Sequence, residues 1–258
     1  MARYLLEVEH LNKNFGGLKA INDLSFSVKE GSIKSIIGPN GAGKTTIFNL
    51  ITGIYLPSSG KGRFLGKTIL NIKPHIATFM GIARTFQKTK LFEDMKVVEN
   101  IMTGCHAHTK AGVFSISLRM PWMRKEEEQI RERAISCLDF VGLKDIADVK
   151  ARSLSHGEKR LVELGRAFVT QPKLLLLDEP VAGLNESETM FVAELIYKIR
   201  NKGTTILLIE HDMKFVMKIS DEVLAINFGE WIAEGSVAEV AQNPDVIEAY
   251  LGKDVDFA

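Results

Sequence analysis

One short stretch of the sequence combines residue types that hold phosphate groups. Residues 38–45 read Gly-Pro-Asn-Gly-Ala-Gly-Lys-Thr and match the pattern G-x-x-x-x-G-K-[ST]. Glycines allow backbone N–H groups to converge on phosphate oxygens, and a helix that begins there adds its unpaired N–H donors. Lys44 would place its charge against the β- and γ-phosphates, and the Thr45 hydroxyl would ligate Mg²⁺. The stretch predicts nucleoside-triphosphate binding, and the alternative is an ordinary glycine turn.

The residues on either side supply the strand and the helix that such a loop requires. The isoleucine-rich segment from Ile33 to Ile37 predicts a buried strand before the loop. After it, residues 46–52 carry apolar side chains at helical spacing and are followed by Gly53, which predicts a helix that ends there. Strand, glycine-rich turn and helix in this order favour phosphate binding over the ordinary turn.

Two later strands are each followed by polar residues. Residues 173–177 are rich in leucine, which predicts a strand buried on both faces of a parallel sheet. Because such sheets bind ligands at the carboxyl ends of their strands, Asp178 is placed to hold Mg²⁺ through water and Glu179 to polarise an attacking water. Residues 204–209 predict a further strand, after which His211 could reach the γ-phosphate. A polar strand end without function is the alternative in each case.

Another segment predicts a helix that begins at a possible anion site. Leu154-Ser155-His156-Gly157-Glu158 precedes residues 159–169, whose apolar side chains recur at helical spacing. Ser155 followed three residues later by Glu158 predicts a capped helix start, where Ser155 and Gly157 could meet an anion. Taken alone, the segment is equally consistent with a helix cap that binds nothing.

The N-terminal segment predicts a small antiparallel sheet. Residues 6–9 and 24–28 alternate apolar and polar side chains, which is typical of half-buried strands. Phe15 precedes Gly16 and Gly17, so it could lie in the turn between these strands and stack on a base. A core phenylalanine at a strand end is the alternative.

From Pro74 to about Gly142 the pattern changes to helices. Residues 124–141 predict an amphipathic helix. Residues 80–86 form a short apolar segment that leads to Gln87, and residues 103–121 are left unassigned. Within them, Cys105-His106-Ala107-His108 lacks a second group of ligands at zinc-site spacing, so we interpret it as a loop or helix end rather than a metal site.

Composition excludes several other classes of protein. The 258 residues carry a net charge of +1, which gives no strong field for nucleic acid or an anionic membrane. Two cysteines are too few for a disulfide framework and fit a reducing compartment. The first 15 residues lack the apolar core of a signal peptide, and no run approaches the ~20 apolar residues that cross a bilayer. We therefore expect a cytoplasmic protein.

In this order, the motifs resemble those of the ATP-binding subunits of ABC transporters, over essentially the whole chain. Residues 38–45 look like the Walker A loop, and residues 174–179, Leu-Leu-Leu-Leu-Asp-Glu, look like Walker B. Residues 154–158 stand where the family has LSGGQ, and residues 182–185, Ala-Gly-Leu-Asn, look like the D-loop. Single residues complete the set: Gln87 for the Q-loop, His211 for the switch histidine and Phe15 for the aromatic that stacks on adenine.

The resemblance implies an α/β fold with a P-loop (RecA-like) parallel-sheet core, an N-terminal antiparallel β lobe and an inserted helical lobe. One ABC-type ATPase domain would span residues 1–258. The nucleotide-binding core would cover about 1–87 and 166–235, the helical lobe about 88–165, and a C-terminal tail about 236–258.

The resemblance also assigns roles to residues. Glu179, His211 and Gln87 would be catalytic, and Thr45, Gln87 and Asp178 would hold Mg²⁺. The residues that bind ATP would be Phe15, Gly38, Pro39, Asn40, Gly41, Ala42, Gly43, Lys44, Thr45, Thr46, Ser155 and Gly157.

Family resemblance further implies that two such subunits sandwich two ATP molecules head to tail. Ser155 and Gly157 of one subunit, or their equivalents, would complete the Walker A site of the other. The second subunit would be another copy or a related ATPase. Membrane permease subunits would be direct partners, an extracytoplasmic binding protein an indirect one, and nucleic acid none. The chain would lie peripherally on the inner face of the cell membrane.

A narrower resemblance is to the branch that takes up branched-chain amino acids and amides. The D-loop AGLN, the phrase IEHDM at 209–213, the ending NPDVIEAYLG at 243–252 and the insertion at 103–123 are similar to that branch. Two residues depart from the family pattern: His156 replaces a glycine and Glu158 a glutamine, and a side chain at 156 would alter how tightly the partner's nucleotide is held.

Three other functions remain open at this point. They are an export ATPase of the same branch, a soluble ABC-type ATPase that acts on DNA or ribosomes, and a regulatory nucleotide-binding module without turnover. The transported cargo contacts other subunits, so this sequence does not identify it.

Overall fold

The strand that precedes the glycine loop lies inside the larger of two β-sheets. The computed structural model describes residues 3–86, 90–105 and 121–251. Its strands are β1 (Tyr4–Phe15), β2 (Leu18–Lys29), β3 (Ile33–Ile37), β4 (Ser59–Phe64), β5 (Lys67–Thr68), β6 (Ile82–Arg84), β7 (Leu174–Asp178), β8 (Thr205–Ile209), β9 (Glu222–Asn227) and β10 (Glu230–Gly235). The larger sheet has the order β10-β9-β3-β8-β7-β6, and the smaller one β2-β1-β4-β5.

The helices cover both faces of the larger sheet. They are α1 (Lys44–Ile51), α2 (Pro74–Phe79), α3 (Val97–Cys105), α4 (Pro121–Phe140), α5 (His156–Phe168), α6 (Glu186–Asn201), α7 (Met213–Ile219), α8 (Val237–Ala241) and α9 (Pro244–Leu251). Two short 3-10 turns, Lys144–Ile146 and Ala151–Ser153, connect α4 to α5. Among the helices of the described ranges, none combines the length and the apolar character that crossing a membrane requires.

The central strands are buried on both faces because two separate cores meet on them. Every residue of β3, β7 and β8 is buried. Along β7, Leu175 and Leu177 join a core with α3, α4, α5 and α6, whereas Leu174 and Leu176 join a core with α1 and the smaller sheet. Side chains alternate between the faces of a strand, so burial on both faces explains the unbroken leucine run.

The strand directions agree with the predicted fold class. Strands β9, β3, β8, β7 and β6 are parallel, and β10 adds an antiparallel edge. The smaller sheet is antiparallel throughout and includes β1 and β2, as predicted for residues 6–9 and 24–28. Helices α3, α4 and α5 pack on one another and form the helical part. The parallel-sheet core, the antiparallel lobe and the inserted helices are therefore confirmed.

Some predicted elements differ from the observed ones. The stretch from Pro74 to Gly142 was predicted as helical, but Ile82–Arg84 forms β6. This strand exists because its backbone pairs with Leu174–Leu176 of β7, a contact between distant segments. Residues 103–105 belong to α3, and the helix predicted for 124–141 runs from Pro121 to Phe140.

Candidate functional site

The glycine loop connects β3 to α1, and two of its glycines allow it to pack closely on neighbouring strands. Gly38 has φ 154°, and a Cβ there would lie 2.2 Å from the carbonyl oxygen of Ile226. Gly43, directly before α1, has φ 101°, and a Cβ would lie 2.7 Å from the Ala20 carbonyl oxygen. Both positions therefore require glycine, and the loop is held between β9 and β2.

Lys44 begins α1 and lies beneath the loop. Its Nζ donates to the carbonyl oxygens of Gly38, at 2.5 Å, and Pro39, at 2.9 Å. Burial lowers the pKa of Lys44, while the nearby carboxylates of Glu179 and Asp178 raise it. The ammonium group is thus preorganised at the loop by backbone oxygens that an anion could replace.

An open groove of about 430 Å³ lies above this loop. Most of the residues predicted to bind a nucleotide line it, together with the predicted base: Phe15, Asn40, Gly41, Ala42, Gly43, Lys44, Thr45, Thr46 and Glu179. Leu18, Lys19, Ala20 and Phe228 line it as well. The structure therefore brings the N-terminal strands, the glycine loop and the end of β7 to one groove.

Two aromatic rings border the groove. Phe15 is the last residue of β1; its ring meets Tyr55 edge to face at 5.2 Å between centroids, and Lys13 Nζ lies 4.7 Å from its centroid. Phe228, in the turn between β9 and β10, is 81% exposed and was not predicted as a site residue. That turn is fixed to the loop because Gly229 N donates to the Ala42 carbonyl at 2.9 Å.

Asp178 ends β7 and is almost fully buried. Its Oδ2 accepts from Arg84 Nη2 at 2.9 Å, and its backbone N donates to Thr85 Oγ1 at 3.2 Å. Its Oδ1 is buried and has no hydrogen-bond partner among the residues that the structure describes. Burial raises the pKa of Asp178, and Arg84 opposes that shift. Sequence reasoning missed Arg84, because its pairing depends on β6 lying beside β7.

Glu179 follows in a backbone conformation that few non-glycine residues adopt. Its φ is 49°, and its backbone N donates to the Ile209 carbonyl at 2.9 Å. Its Oε1 lies 3.8 Å from Nδ1 of His211, whose side chain is 60% exposed. The ends of β7 and β8 thus place the predicted base and the predicted switch histidine side by side.

Glu210, between β8 and His211, is a residue whose role the sequence did not predict. Its side chain is fully buried, and its Oε1 accepts from Val181 N at 3.2 Å. Its Oε2 accepts from the backbone N of His211, at 2.9 Å, and of Asp212, at 3.3 Å. Burial raises the pKa of Glu210, and the three backbone donors act against that shift. One carboxylate therefore joins the segment after Glu179 to the segment that carries His211.

The start of α5 lies next to residues 182–185. Ser155 Oγ accepts from Glu158 N at 3.2 Å, and Glu158 Oε2 accepts from Ser155 N at 2.8 Å, which confirms the predicted cap. Nε2 of His156 lies 3.1 Å from the carbonyl oxygen of Ala182, so this nitrogen carries the hydrogen. A Cβ on Gly157 would lie 2.5 Å from Glu188 Oε1. Neither Ser155 nor Gly157 lines the groove of its own chain.

Helix α5 also holds the backbone that leads to Gln87. Phe86 N donates to Glu163 Oε1 at 3.1 Å, and Arg160 Nη1 donates to the Phe86 carbonyl at 3.2 Å. Arg160 and Glu163 pair at 3.3 Å, and burial raises the pKa of Glu163. Gln87 itself lies outside the described residues, as do His106 and His108.

Two separate segments of the chain match models of known protein families. Residues 21–182 match the family model described as "ABC transporter". Residues 232–256 match the model described as "Branched-chain amino acid ATP-binding cassette transporter". The first match covers more than half of the chain and includes the glycine loop and the end of β7.

Similar curated proteins span almost the full chain. The "High-affinity branched-chain amino acid transport ATP-binding protein LivG" of Salmonella typhimurium is 45% identical over 254 residues, which cover 98% of this chain and 100% of that protein. The "High-affinity branched-chain amino acid transport ATP-binding protein BraF" of Pseudomonas aeruginosa is 43% identical over 254 residues, which cover 98% of this chain and 100% of that protein. A probable LivG of Methanocaldococcus jannaschii is 36% identical and is covered to 98%.

Solved structures with the same fold include a nucleotide-free ATP-binding cassette from an ABC transporter. It is 36% identical, has a TM-score of 0.86, and the match covers 97% of this chain and 100% of that one. The ADP conformation of an ATP-binding cassette gives a TM-score of 0.85 at the same identity and coverage.

Proposed function

The chain belongs to the ATP-binding subunits of ABC transporters, which are ATPases, and we propose that it powers the uptake of branched-chain amino acids or related amides. ATP hydrolysis here would drive import through separate membrane permease subunits. The observation that carries this proposal is 45% identity over 98% of the chain to a branched-chain amino acid transport protein. The match of residues 232–256 to a branched-chain family supports the same cargo class. An export ATPase and a soluble ATPase without a transport role are not favoured.

The groove above the glycine loop is the ATP site in this proposal. Phe15 stacks on the base, and the backbone N–H groups of residues 40–46, which line the groove, surround the phosphates, where Lys44 supplies the cation. The support is that Phe15, the loop and Glu179 line one groove. Phe228, in the β9–β10 turn that anchors the loop, borders the same groove and would contact the nucleotide.

The residues present fit a magnesium ion. Asp178 has one buried oxygen without a hydrogen-bond partner in the described part of the chain, while Arg84 holds the other. Thr45 is exposed at the start of α1 and lines the groove. Hydroxyl and carboxylate oxygens are the ligands that Mg²⁺ prefers, and Gln87 would be a third ligand. When bound, the ion would neutralise charge on the phosphates.

Glu179 and His211 would carry out hydrolysis. Glu179 takes a proton from a water molecule while the oxygen of that water attacks the γ-phosphorus. The bond between the γ-phosphorus and the oxygen that leaves with ADP then breaks. His211 lies beside Glu179 and would orient the γ-phosphate or the water. Glu210 fixes the backbone of His211 and Val181, so it would act as a positioning residue for this pair.

A second subunit would complete each site. Ser155 and Gly157 lie at the start of α5 and do not line the groove of their own chain. Ser155 is exposed, so its hydroxyl is available to a nucleotide held by a partner, whereas Gly157 is buried in the single chain. The Ser155 hydroxyl accepts from Glu158 and keeps its own hydrogen to donate. In this arrangement the nucleotide-binding core comprises about residues 1–87 and 166–235, and the helical lobe about 88–165. The chain would work at the inner face of the membrane.

Reconstituted transport tests the function. Proteoliposomes would contain this chain, its permease subunits and its second ATPase, with ATP on the side of this chain and the binding protein on the other. We expect ATP-dependent accumulation of radiolabelled leucine, isoleucine or valine, and none with Glu179→Gln. ATP hydrolysis without accumulation of any of these amino acids or of a related amide would show that the cargo is wrong.

A further inference from the structure

We propose that the C-terminal helix α9 sets the geometry of the phosphate-binding loop through the hydroxyl group of Tyr250. Tyr250 is thus a positioning residue for nucleotide binding, and the end of the chain becomes part of the ATP site. This inference rests on the proposal that residues 38–45 hold the phosphates. From the sequence alone, the motif NPDVIEAYLG at 243–252 indicates only a resemblance to one transporter branch.

Helix α9 is built to place Tyr250 at the loop. Asn243 Oδ1 accepts from the backbone N of Asp245, at 2.9 Å, and of Val246, at 3.4 Å, and Pro244 occupies the first helical position. Val246 is buried in one cluster with Ile37, the residue directly before Gly38. Tyr250 follows Val246 by four residues and therefore shares its face of the helix.

The contact joins the hydroxyl to the first residue of the loop. Gly38 N donates to Tyr250 Oη at 2.8 Å. Gly38 is buried, so its N–H needs a protein acceptor, and Tyr250 supplies one. Burial raises the pKa of Tyr250, and the hydrogen bond from Gly38 opposes that shift.

The same glycine is bonded on its other side to the loop's cation. The Gly38 carbonyl accepts from Lys44 Nζ at 2.5 Å, so Tyr250 and Lys44 hold opposite ends of one residue. A Cβ at Gly38 would also meet the Ile226 carbonyl at 2.2 Å, which leaves the backbone little room to shift. Loss of the tyrosine hydroxyl leaves the buried Gly38 N–H without its acceptor, so this loop geometry becomes less stable before the nucleotide binds.

Tyr250→Phe tests this because it keeps the ring and removes only the hydroxyl. A hydrogen bond to a preorganised loop corresponds to an affinity change of about three- to tenfold. We expect the full-length variant to bind a fluorescent ATP analogue that much more weakly. In the assembled transporter, KM for ATP should rise by the same factor while kcat stays unchanged, because saturating ATP restores the loop.

Tyr197→Phe is the matched control. Tyr197 Oη donates to the Lys218 carbonyl at 2.5 Å between α6 and α7, so its loss also removes one bond from a tyrosine hydroxyl to the backbone. We expect this variant to bind ATP as the unmodified chain does. If Tyr250→Phe lowers Tm no more than Tyr197→Phe and still weakens binding, the effect lies in the site. Equal or tighter ATP binding by Tyr250→Phe overturns the inference.

Lys44→Ala separates this inference from the loop assignment. A tenfold or larger loss of affinity in Lys44→Ala, with unchanged binding by Tyr250→Phe, leaves the loop assignment standing and rejects the role of Tyr250. Unchanged affinity in Lys44→Ala rejects the loop assignment itself, and the role of Tyr250 with it.

Discussion

At the scale of single residues, Glu210 combines full burial with three backbone donors on one carboxylate. Glutamine has the same size but one acceptor oxygen, so its NH₂ group would face at least one backbone N–H. An unsatisfied buried donor costs about 1–3 kcal/mol. We expect Glu210→Gln to lower the free energy of unfolding by that amount in urea denaturation, and to reduce ATP turnover because His211 and Val181 lose their common anchor.

A matched control for this variant is Glu239→Gln. Glu239 accepts from Ser236 N and Oγ in the cap of α8, but its side chain is exposed, so water replaces the lost bond. Denaturation midpoints that shift equally in the two variants, with turnover unchanged in both, would rule out the anchoring role of Glu210.

The site residues that could be predicted are those whose function depends on local sequence. The loop at 38–45, Asp178 with Glu179, and Ser155 with its cap each depend on neighbours within a few residues. Arg84 and Glu210 could not be predicted in the same way, because their partners Asp178 and Val181 lie 94 and 29 residues away. Both are charged residues next to apolar segments, which indicates that each needs a buried partner but does not identify that partner.

At the scale of elements, the strands that could be predicted from the sequence are those that are buried on both faces. Residues 33–37, 173–177 and 204–209 are rich in isoleucine or leucine, and they form β3, β7 and β8 inside the sheet. Strand β6 has three residues at the sheet edge, and its pairing with β7 rather than its own pattern makes it a strand. Short edge strands carry too few residues for an alternation to be recognised.

Helix α5 carries both the predicted partner-binding residues at its start and the two side chains that hold Phe86. Glu163 and Arg160 bond the N–H and the carbonyl of Phe86, the residue before Gln87. A displacement of Phe86, the residue before Gln87, would therefore reach α5 through these two contacts between side chains and backbone. Phe86 and Phe92, which flank this segment, have exposed rings that a permease could cover.

We expect Glu163→Gln to uncouple transport from ATP binding. The variant loses the charge that pairs with Arg160, and a hydrogen bond to a charged group contributes about 1.5–3 kcal/mol, or roughly tenfold or more. Transport in proteoliposomes should fall by about that factor, while ATP binding by the isolated chain stays unchanged. Gln87→Ala should act in the same direction. Glu194→Gln, an exposed acid on α6, is the control and should transport normally.

Crosslinking locates the surface involved. Single cysteines between Lys88 and Asn100 should form crosslinks to the permease. Crosslinks found only in the C-terminal residues 236–258 would contradict this route of coupling.

At the scale of the whole molecule, the chain contains both the groove above the glycine loop and the start of α5, where Ser155 and Gly157 lie outside that groove. The start of α5 contacts residues 182–185, because Nε2 of His156 donates to the carbonyl oxygen of Ala182 at 3.1 Å. A partner nucleotide that contacts Ser155 would therefore also act on the segment that follows Glu179. In the proposed head-to-tail pair, closure and the position of Glu179 would be linked through this contact.

Glu179→Gln tests the role of Glu179, because the variant separates ATP binding from ATP hydrolysis. Glutamine keeps the size and hydrogen bonding of Glu179 but removes the basic oxygen. General-base assistance is typically worth ~10²–10⁴-fold, so phosphate release from the assembled complex should fall by at least that factor. Binding of ATP should persist, and Glu194→Gln should turn over ATP at the unmodified rate. A Glu179→Gln complex that hydrolyses ATP at the unmodified rate would exclude Glu179 as the base.

The same variant should accumulate a closed pair, because hydrolysis is the step that reopens it. Size-exclusion chromatography with light scattering, with and without ATP and Mg²⁺, should show that ATP shifts Glu179→Gln to a dimer with the second ATPase. The isolated chain should form at most a weak homodimer. Adding Ser155→Arg to Glu179→Gln should abolish pairing, since a bulky cation would stand where the partner's γ-phosphate must fit. If turnover stops in Glu179→Gln but ATP induces no pairing even with the second ATPase present, the catalytic site is right and the head-to-tail arrangement is wrong.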